Sequence, residues 1–167
     1  MTAALLAAGC SNEAATVDHA ADSAAQSAPR GIEGAWRVVQ AKLAAADTLN
    51  APAGLFVFTA DRYSIMYANA PRRPYAKPDA ATNAEKLHGY DTFVANAGSY
   101  LTAGDTITIR PVISRNPNYM GGGEDRFVVH LSGDTLTLTS VPGAFRYASG
   151  VAASAQSTDS FTLVRDR

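Results

Sequence analysis

Gly104-Asp105-Thr106-Ile107-Thr108-Ile109 is followed, twenty-nine residues later, by the similar stretch Gly133-Asp134-Thr135-Leu136-Thr137-Leu138. In both, the Gly-Asp pair predicts a tight turn, because glycine adopts the positive φ that such turns require and aspartate hydrogen-bonds the local backbone. Apolar residues then alternate with threonine, which is the pattern of a strand with one buried face. The two stretches therefore predict two antiparallel hairpins that use the same turn, rather than an internal repeat.

Short apolar runs separated by Gly, Asp, Asn and Pro continue from Gly31 to the C-terminus and predict eight strands. The predicted strands are residues 32–43, 54–59, 63–69, 98–102, 106–114, 126–131, 135–141 and 160–165. Eight sequential strands with short connections favour a closed barrel, because closure leaves no exposed sheet edge. We therefore expect an all-β fold, an eight-stranded antiparallel up-and-down barrel over residues 31–167, with room for a packed interior or one small ligand.

One segment predicts an amphipathic helix within this series of strands. Its apolar residues have the spacing of one helical face: Leu87, Tyr90, Phe93 and Val94. Thr82 and Glu85 have the spacing of a capping box, although Asp79 is a second candidate for the N-cap. Gly98 is a plausible stop. A single helix cannot form a layer of its own, so we expect it to lie across the sheet or close one end of the barrel.

The two ends of the strand region carry a pair of motifs. Gly34-Ala35-Trp36 stands on the first predicted strand, and Arg165 ends the last one. This pairing resembles the lipocalin superfamily, in which the tryptophan plugs the closed end of the barrel and the arginine lies over the indole. The resemblance implies that Gly34, Trp36 and Arg165 have a structural role in closing the barrel, with a ligand contact as the alternative.

Further stretches make the resemblance more specific. They are residues 54–59 (GLFVFT), 63–67 (YSIMY), 93–100 (FVANAGSY) and the turn at 133–138. Together they resemble the bacterial lipocalin-like domain proteins, and the likeness covers about residues 31–167. It implies a calycin-type barrel and a small, mostly hydrophobic ligand, and it supplies no catalytic residues.

Composition and charge exclude several classes of function. The 167 residues carry 14 basic and 15 acidic side chains, so the basic surplus of a nucleic-acid-binding surface is missing from the sequence. A single cysteine excludes an intramolecular disulfide and a multi-cysteine zinc site. The histidines, at positions 19, 88 and 130, lack the spacing of metal ligands. We therefore predict no metal site, no cofactor and no nucleic-acid partner.

Residues 1–30 differ in composition from the rest, with eleven alanines and few large side chains. We predict a lipoprotein-type signal remnant and a disordered Ala/Ser-rich tether, because such a segment buries too little apolar surface to fold. Leu5-Leu6-Ala7-Ala8-Gly9-Cys10-Ser11 resembles the lipobox of bacterial lipoproteins. The resemblance implies lipidation of Cys10, a membrane anchor in the bacterial cell envelope and, from Ser11, the periplasmic face of the outer membrane. The alternative is a disordered tail with an incidental cysteine.

Candidate ligand-binding residues come from strand tyrosines and from one long connection. Tyrosine can line a cavity while its hydroxyl stays hydrogen-bonded, although tyrosines also simply pack in sheets. Residues 110–121 form a connection rich in long side chains, Pro and Asn, of the kind that a rigid barrel uses to position binding residues. The alternative for residues 110–121 is a strand end followed by a turn with a structural role. The candidates are Tyr63, Tyr67, Tyr100, Arg110, Asn116 and Tyr119.

Three functions are compatible with these features. We expect a lipid-tethered barrel that binds a small hydrophobic molecule. The first alternative is an envelope lipoprotein whose packed barrel docks a protein partner. The second is a barrel isomerase or cyclase of a hydrophobic substrate, for which Tyr63, Arg110 or Asn116 are candidates. No catalytic motif in the sequence demands an enzyme.

Overall fold

The computed structural model describes residues 31–43, 48–150 and 158–167. The strands are β1 (Gly34–Lys42), β2 (Leu49–Asn50), β3 (Gly54–Phe58), β4 (Arg62–Ala68), β5 (Phe93–Ala103), β6 (Thr106–Ser114), β7 (Asp125–Ser132), β8 (Thr135–Ser140) and β9 (Ser160–Arg165). One α-helix, α1 (Asn83–Asp91), lies between β4 and β5, and a 3-10 helix (Pro117–Tyr119) follows β6. The predicted tether at residues 1–30, with Cys10, lies outside the described residues.

The strands form the predicted closed antiparallel barrel. Each long strand pairs with the next one along the chain, from β3 to β9, and β1 pairs with both β3 and β9. The β1–β9 ladder runs from Trp36 opposite Arg165 to Lys42 opposite Ser160, with a bulge at residue 39. The two-residue strand β2 adds to one end of β1 and leaves the eight-stranded barrel unchanged.

The two Gly-Asp turns join β5 to β6 and β7 to β8, as predicted. Gly104 has φ 61° and Gly133 has φ 56°, in the left-handed region that glycine adopts without steric cost. An added Cβ would meet no atom within 4 Å at either position. Backbone conformation, rather than crowding, therefore explains both glycines.

The helix begins where the capping box predicts. The Thr82 hydroxyl accepts a hydrogen bond from the Glu85 amide, and the Glu85 carboxylate accepts one from the Thr82 amide. The predicted end near Gly98 was wrong: the helix ends at Asp91, and Phe93 already pairs with Ala68 of β4. Strand pairing with β4 overrides the helical spacing of the segment, because it places Val94 against the hydrophobic core while the ladder still satisfies the backbone.

The predicted apolar face of the helix was also wrong. No residue of α1 is buried, and Leu87 and Tyr90 are 61% and 50% exposed. The helix is instead held to the end of β6 by polar contacts with Arg115. The Tyr90 hydroxyl donates to the Arg115 carbonyl (2.9 Å), the Arg115 guanidinium donates to the Tyr90 carbonyl (2.6 Å), and that guanidinium lies 4.7 Å from the Tyr90 ring centroid.

The two ends of the barrel differ. At one end, fully buried Trp36 donates its indole N–H to the Ile32 carbonyl (2.6 Å), and Arg165 donates to the carbonyls of Gly31 (2.8 Å) and Glu33 (2.9 Å). Both Gly-Asp turns lie at this end. Arg165 pairs with Asp134 of the second turn (3.7 Å), and the start of β6, which follows the first turn, pairs with β7 near the second turn. The other end carries α1, the 3-10 helix and residues 141–150.

Candidate functional site

A cavity of about 130 Å³ lies inside the barrel at the end opposite Trp36. Six apolar or aromatic side chains from five strands form its deep wall: Phe56, Ile65, Tyr67, Ile109, Phe127 and Phe161. They reach the interior because alternate residues of a strand face the same side, and each of these strands places its buried positions inward. The strand periodicity of the sequence therefore produces the apolar part of the cavity.

Phe161 of β9 is the central contact of this wall. Its ring centroid lies 5.1 Å from that of Tyr67, 5.3 Å from that of Phe56 and 6.5 Å from that of Phe127. Tilted and edge-on arrangements at these distances are favourable for aromatic rings. Side chains packed in this way change rotamer with difficulty, so this wall is a rigid surface against which a ligand could lie.

The outer part of the cavity is polar. Its polar lining residues come from separate elements that barrel closure brings together: Asn96, Tyr119, Asp125, Ser140 and Asp159. Asn96 pairs with Ile65 across β4–β5, and Asp125 pairs with Ile109 across β6–β7. Asp159 precedes β9, where its carbonyl accepts from the Ser140 amide (2.8 Å). The cavity thus joins an apolar interior to a carboxylate-bearing mouth.

Asp125 is the most electrostatically perturbed carboxyl group of the site. Burial raises its pKa to about 7, and the negative charge of Asp159 acts in the same direction. The Arg126 amide, which donates to the Asp125 carboxylate (2.8 Å), and the Arg126 charge oppose that rise. Desolvation prevails because the charged form loses more hydration than one amide restores. Near neutral pH, both charge states of Asp125 are therefore populated.

Two buried tyrosines near Asp125 have hydroxyl groups without a hydrogen-bond partner among the described residues. Tyr119 is only 5% exposed and lines the cavity, and Tyr63 is buried on β4, two residues before the lining residue Ile65. Burial, and then the charge of Asp125, raises the pKa of both hydroxyls. The Asn96 Oδ1 atom is likewise buried and unpaired among these residues. A buried polar atom without a partner costs free energy, so Tyr119 and Asn96, which line the cavity, are candidates for hydrogen bonds to a ligand.

The connections after β6 and β8 cover the mouth of the cavity. Tyr119 stacks on Phe145 with ring centroids 4.7 Å apart, and Glu124 and Arg146 exchange backbone hydrogen bonds of 3.1 and 2.8 Å. An added Cβ on Gly123 would lie 2.4 Å from the Tyr119 carbonyl oxygen, so only glycine fits this approach. These contacts hold the Tyr119 ring over the cavity.

Comparison with protein families adds an independent observation. A family model described as a lipocalin-like domain matches residues 33–157, which is most of the chain. The chain belongs to the lipocalin-like domain family. The match confirms the family that the sequence motifs predicted. The chain matches no curated protein and no solved structure.

The predicted ligand-binding residues take different places in this lipocalin-like barrel. Tyr67 and Tyr119 line the cavity, and Tyr63 is buried on the same face of β4 as the lining residues Ile65 and Tyr67. The Tyr100 hydroxyl instead donates to the Thr59 carbonyl (2.6 Å), at the end of the barrel that holds Trp36. Arg110 is exposed on the outside of β6 and pairs with Glu124 at 3.4 Å. The Asn116 side chain caps the 3-10 helix by accepting from the Asn118 amide (3.1 Å).

The sequence analysis missed four polar lining residues of the lipocalin-like barrel. These were Asn96, Asp125, Ser140 and Asp159. A signal for Asp125 was present in the sequence, since it shares the odd-numbered face of β7 with buried Phe127 and Val129. A carboxylate on an apolar strand face is expensive to bury, so it marks a candidate site.

A larger groove lies on the surface of the lipocalin-like domain, between residues 70–76 and α1. Its volume is about 870 Å³, and it holds Arg72, Arg73 and Tyr75. Arg72 donates to the Gly89 carbonyl (2.7 Å) and lies 5.3 Å from the Phe93 ring centroid. Through these contacts, Arg72 holds residues 70–76 against α1. This structural role accounts for the position of the Arg72 side chain, and no ligand is needed to explain it.

Among the described residues of the lipocalin-like domain, no group of three or more His, Cys, Asp or Glu side chains is arranged to hold a metal ion. In the same part of the chain, no helix is long and apolar enough to cross a membrane.

Proposed function

We propose that this lipocalin-like domain binds a small, mostly hydrophobic molecule inside its barrel. The cavity between the Phe161 wall and the Tyr119–Phe145 cover carries this proposal. Binding sites in proteins are typically concave and mainly apolar, with a few polar groups that orient the ligand. The six apolar side chains of the deep wall and the polar mouth fit that description.

The size of the cavity limits the ligand. Apolar cavities of about 150 Å³ accept benzene, and the cavity here is about 130 Å³. The fitting ligand is therefore a single ring with a short substituent rather than a long acyl chain. A molecule of about eight non-hydrogen atoms supports a dissociation constant of about 0.1–1 mM.

Isothermal titration calorimetry with benzyl alcohol tests the proposal. The wild-type chain should bind with one-to-one stoichiometry. Val94→Phe enlarges a side chain that lines the cavity, and it should abolish binding. Val112→Phe makes the same change at a residue that is 70% exposed, and it should leave binding unaltered. Absence of heat in the wild type, or equal binding by both variants, would contradict binding in the cavity and would favour the packed barrel that docks a protein partner.

We also propose, from the sequence alone, that Cys10 is lipidated and anchors the domain in the bacterial envelope, at the periplasmic face of the outer membrane. The lipobox-like stretch that ends at Cys10 supports this proposal. Expression of the chain in a Gram-negative bacterium with radiolabelled palmitate tests it. The wild type should carry label in the membrane fraction, and Cys10→Ser should carry none. Unlabelled wild-type protein would contradict the anchor.

One observation favours an enzyme as the second candidate. Asp125, whose pKa is raised to about 7, lies near Tyr63 and Tyr119, and a group with such a pKa is suited to general acid–base chemistry. Proton NMR of a bound ring compound over several hours tests this candidate. Exchange of ligand C–H protons with deuterated solvent that Asp125→Asn abolishes would support isomerase-type chemistry, and no exchange would favour a binding protein.

A further inference from the structure

The polar groups at the mouth of the cavity share one chemical property: they accept hydrogen bonds. Asp125 and Asp159 provide carboxylates, Asn96 presents an unpaired Oδ1, and the unpaired Tyr119 hydroxyl can also accept. None of the described residues that line the cavity is Lys, Arg or His. A complementary ligand therefore has to bring hydrogen-bond donors and positive charge.

The polar residues and the aromatic wall are neighbours in the lining of the same cavity. Asn96 and Asp125 each pair across the sheet with an apolar lining residue, Ile65 and Ile109 respectively. Asp125 lies two residues from Phe127 on the same face of β7, and Asp159 lies two residues before Phe161, so a ring against Phe161 has carboxylates beside it. Aromatic faces also attract cations, and Tyr67 and Phe145 both line the cavity.

We propose that the ligand is a single aromatic ring with a protonated amine, the ring against Phe161 and the ammonium group between Asp125, Tyr119 and Asn96. This inference rests on the proposed function, since it names the class of ligand for the same cavity. An ammonium group has three N–H donors. Asp125, the Tyr119 hydroxyl and Asn96 Oδ1 supply three acceptors, two of which are unpaired among the described residues.

The charge state of Asp125 couples this binding to pH. The titratable and charged groups around its carboxyl are Tyr63 and Tyr67 on β4, Tyr119 on the 3-10 helix, Glu124 and Arg126 beside it in sequence, and Asp159 before β9. Glu124 is paired with Arg110. A cationic ligand binds the ionised carboxylate, whose population rises as the pH passes 7. Affinity for an amine should thus rise from pH 6 to pH 8, a range in which an alkylammonium group stays protonated.

Three probes of nearly equal size separate the possibilities: benzylamine, neutral benzyl alcohol and anionic benzoate. At pH 8 the wild-type chain should bind benzylamine at least tenfold more tightly than benzyl alcohol, and benzoate more weakly than both. Between pH 6 and pH 8 the benzylamine affinity should rise about tenfold, as the ionised fraction of a group with a pKa of about 7 does. The affinity for benzyl alcohol should stay nearly constant.

Three variants, one of them a control, test whether the effect arises at Asp125 and Tyr119. Asp125→Asn should reduce the preference for benzylamine over benzyl alcohol to within twofold and remove the pH dependence. Asp79→Asn removes the same charge from an exposed position outside the cavity, so it should retain both. Tyr119→Phe should weaken benzylamine binding severalfold without unfolding the chain, since its hydroxyl has no partner to lose among the described residues.

The outcomes distinguish this inference from the proposed function. Binding of benzyl alcohol as tightly as benzylamine would overturn the amine assignment and leave the cavity as a binding site. A benzylamine preference that survives in Asp125→Asn would also overturn it. Failure of all three probes to bind would overturn the proposed function and this inference together.

Discussion

The guanidinium of Arg165 lies 4.2 Å from the ring centroid of Trp36, at the end of the barrel opposite the cavity. The same guanidinium donates to the Gly31 and Glu33 carbonyls, so it joins the last strand to the segment before the first. Stacking and hydrogen bonding together suit the planar, multi-donor shape of arginine. Among the described residues, Trp36 and Arg165 therefore fill this end of the barrel, and the cavity lies toward the other end.

Replacement of Trp36 by alanine tests the closed end. Trp36 is fully buried, and deletion of a large buried aromatic side chain costs about 3–5 kcal/mol. We expect Trp36→Ala to lower the free energy of unfolding by that amount in urea denaturation. An unchanged unfolding midpoint would contradict the role of Trp36 in filling the barrel.

Gly34 provides a second test of the same end. It has φ 126°, and an added Cβ would lie 2.8 Å from the Arg165 Nη1 atom. Gly34→Ala should therefore destabilise the barrel by about 1–3 kcal/mol, from backbone strain and displacement of Arg165. Gly104→Asn is the control, since φ there is 61° with open space, and asparagine tolerates that conformation. Equal stability losses in the two variants would contradict the Arg165 clash.

The raised pKa of Asp125 predicts how stability depends on pH. Between pH 4 and pH 7 the unfolded chain loses this proton and the folded one keeps it, so the free energy of unfolding should fall as the pH rises through that range. At pH 8 the accumulated cost is about 2–4 kcal/mol. Asp125→Asn should recover much of that cost and flatten the profile. Urea denaturation at several pH values measures both effects, and parallel profiles would contradict the assignment.

Removal of the hydroxyl group from Tyr119 and from Tyr100 should change the stability of the barrel in different ways. The Tyr119 hydroxyl is unpaired among the described residues, whereas the Tyr100 hydroxyl donates to the Thr59 carbonyl at 2.6 Å. Tyr119→Phe should leave stability unchanged or raise it by up to about 1 kcal/mol, and Tyr100→Phe should lower it by about 1 kcal/mol. Thermal unfolding of both variants measures the difference. The opposite order would show that Tyr119 has a structural hydrogen bond.

Much of the fold was predictable because its determinants are local. Alternation at Thr106–Ser114 and Ser160–Arg165 gave both strands at their observed bounds, and the Gly-Asp turns gave two hairpins. The end of α1 was not predictable from spacing, because Phe93 is recruited into β5 by pairing with Ala68, twenty-five residues earlier. Such a pairing is a property of the closed barrel, and no local pattern encodes it.

The site was only partly predictable. Tyr67 and Tyr119 were identified because tyrosine commonly lines cavities, and both do so here. Asn96 and Asp159 look like ordinary strand and turn residues, and they line the same cavity as Asp125 only once strands β5 to β9 have paired into one curved sheet. Residue type alone therefore identified the aromatic part of the site, and the carboxylate-bearing part required the fold.

The binding of a small ring compound in the barrel is tested most directly by methyl NMR of the isoleucines during titration with benzyl alcohol. Ile65 and Ile109 line the cavity, Ile32 lies at the Trp36 end, and Ile113 is exposed on the outside. The proposed function predicts saturable shifts of the Ile65 and Ile109 methyl signals, with Ile32 and Ile113 unchanged. Shifts confined to Ile113, or no saturable shift at any isoleucine, would contradict it.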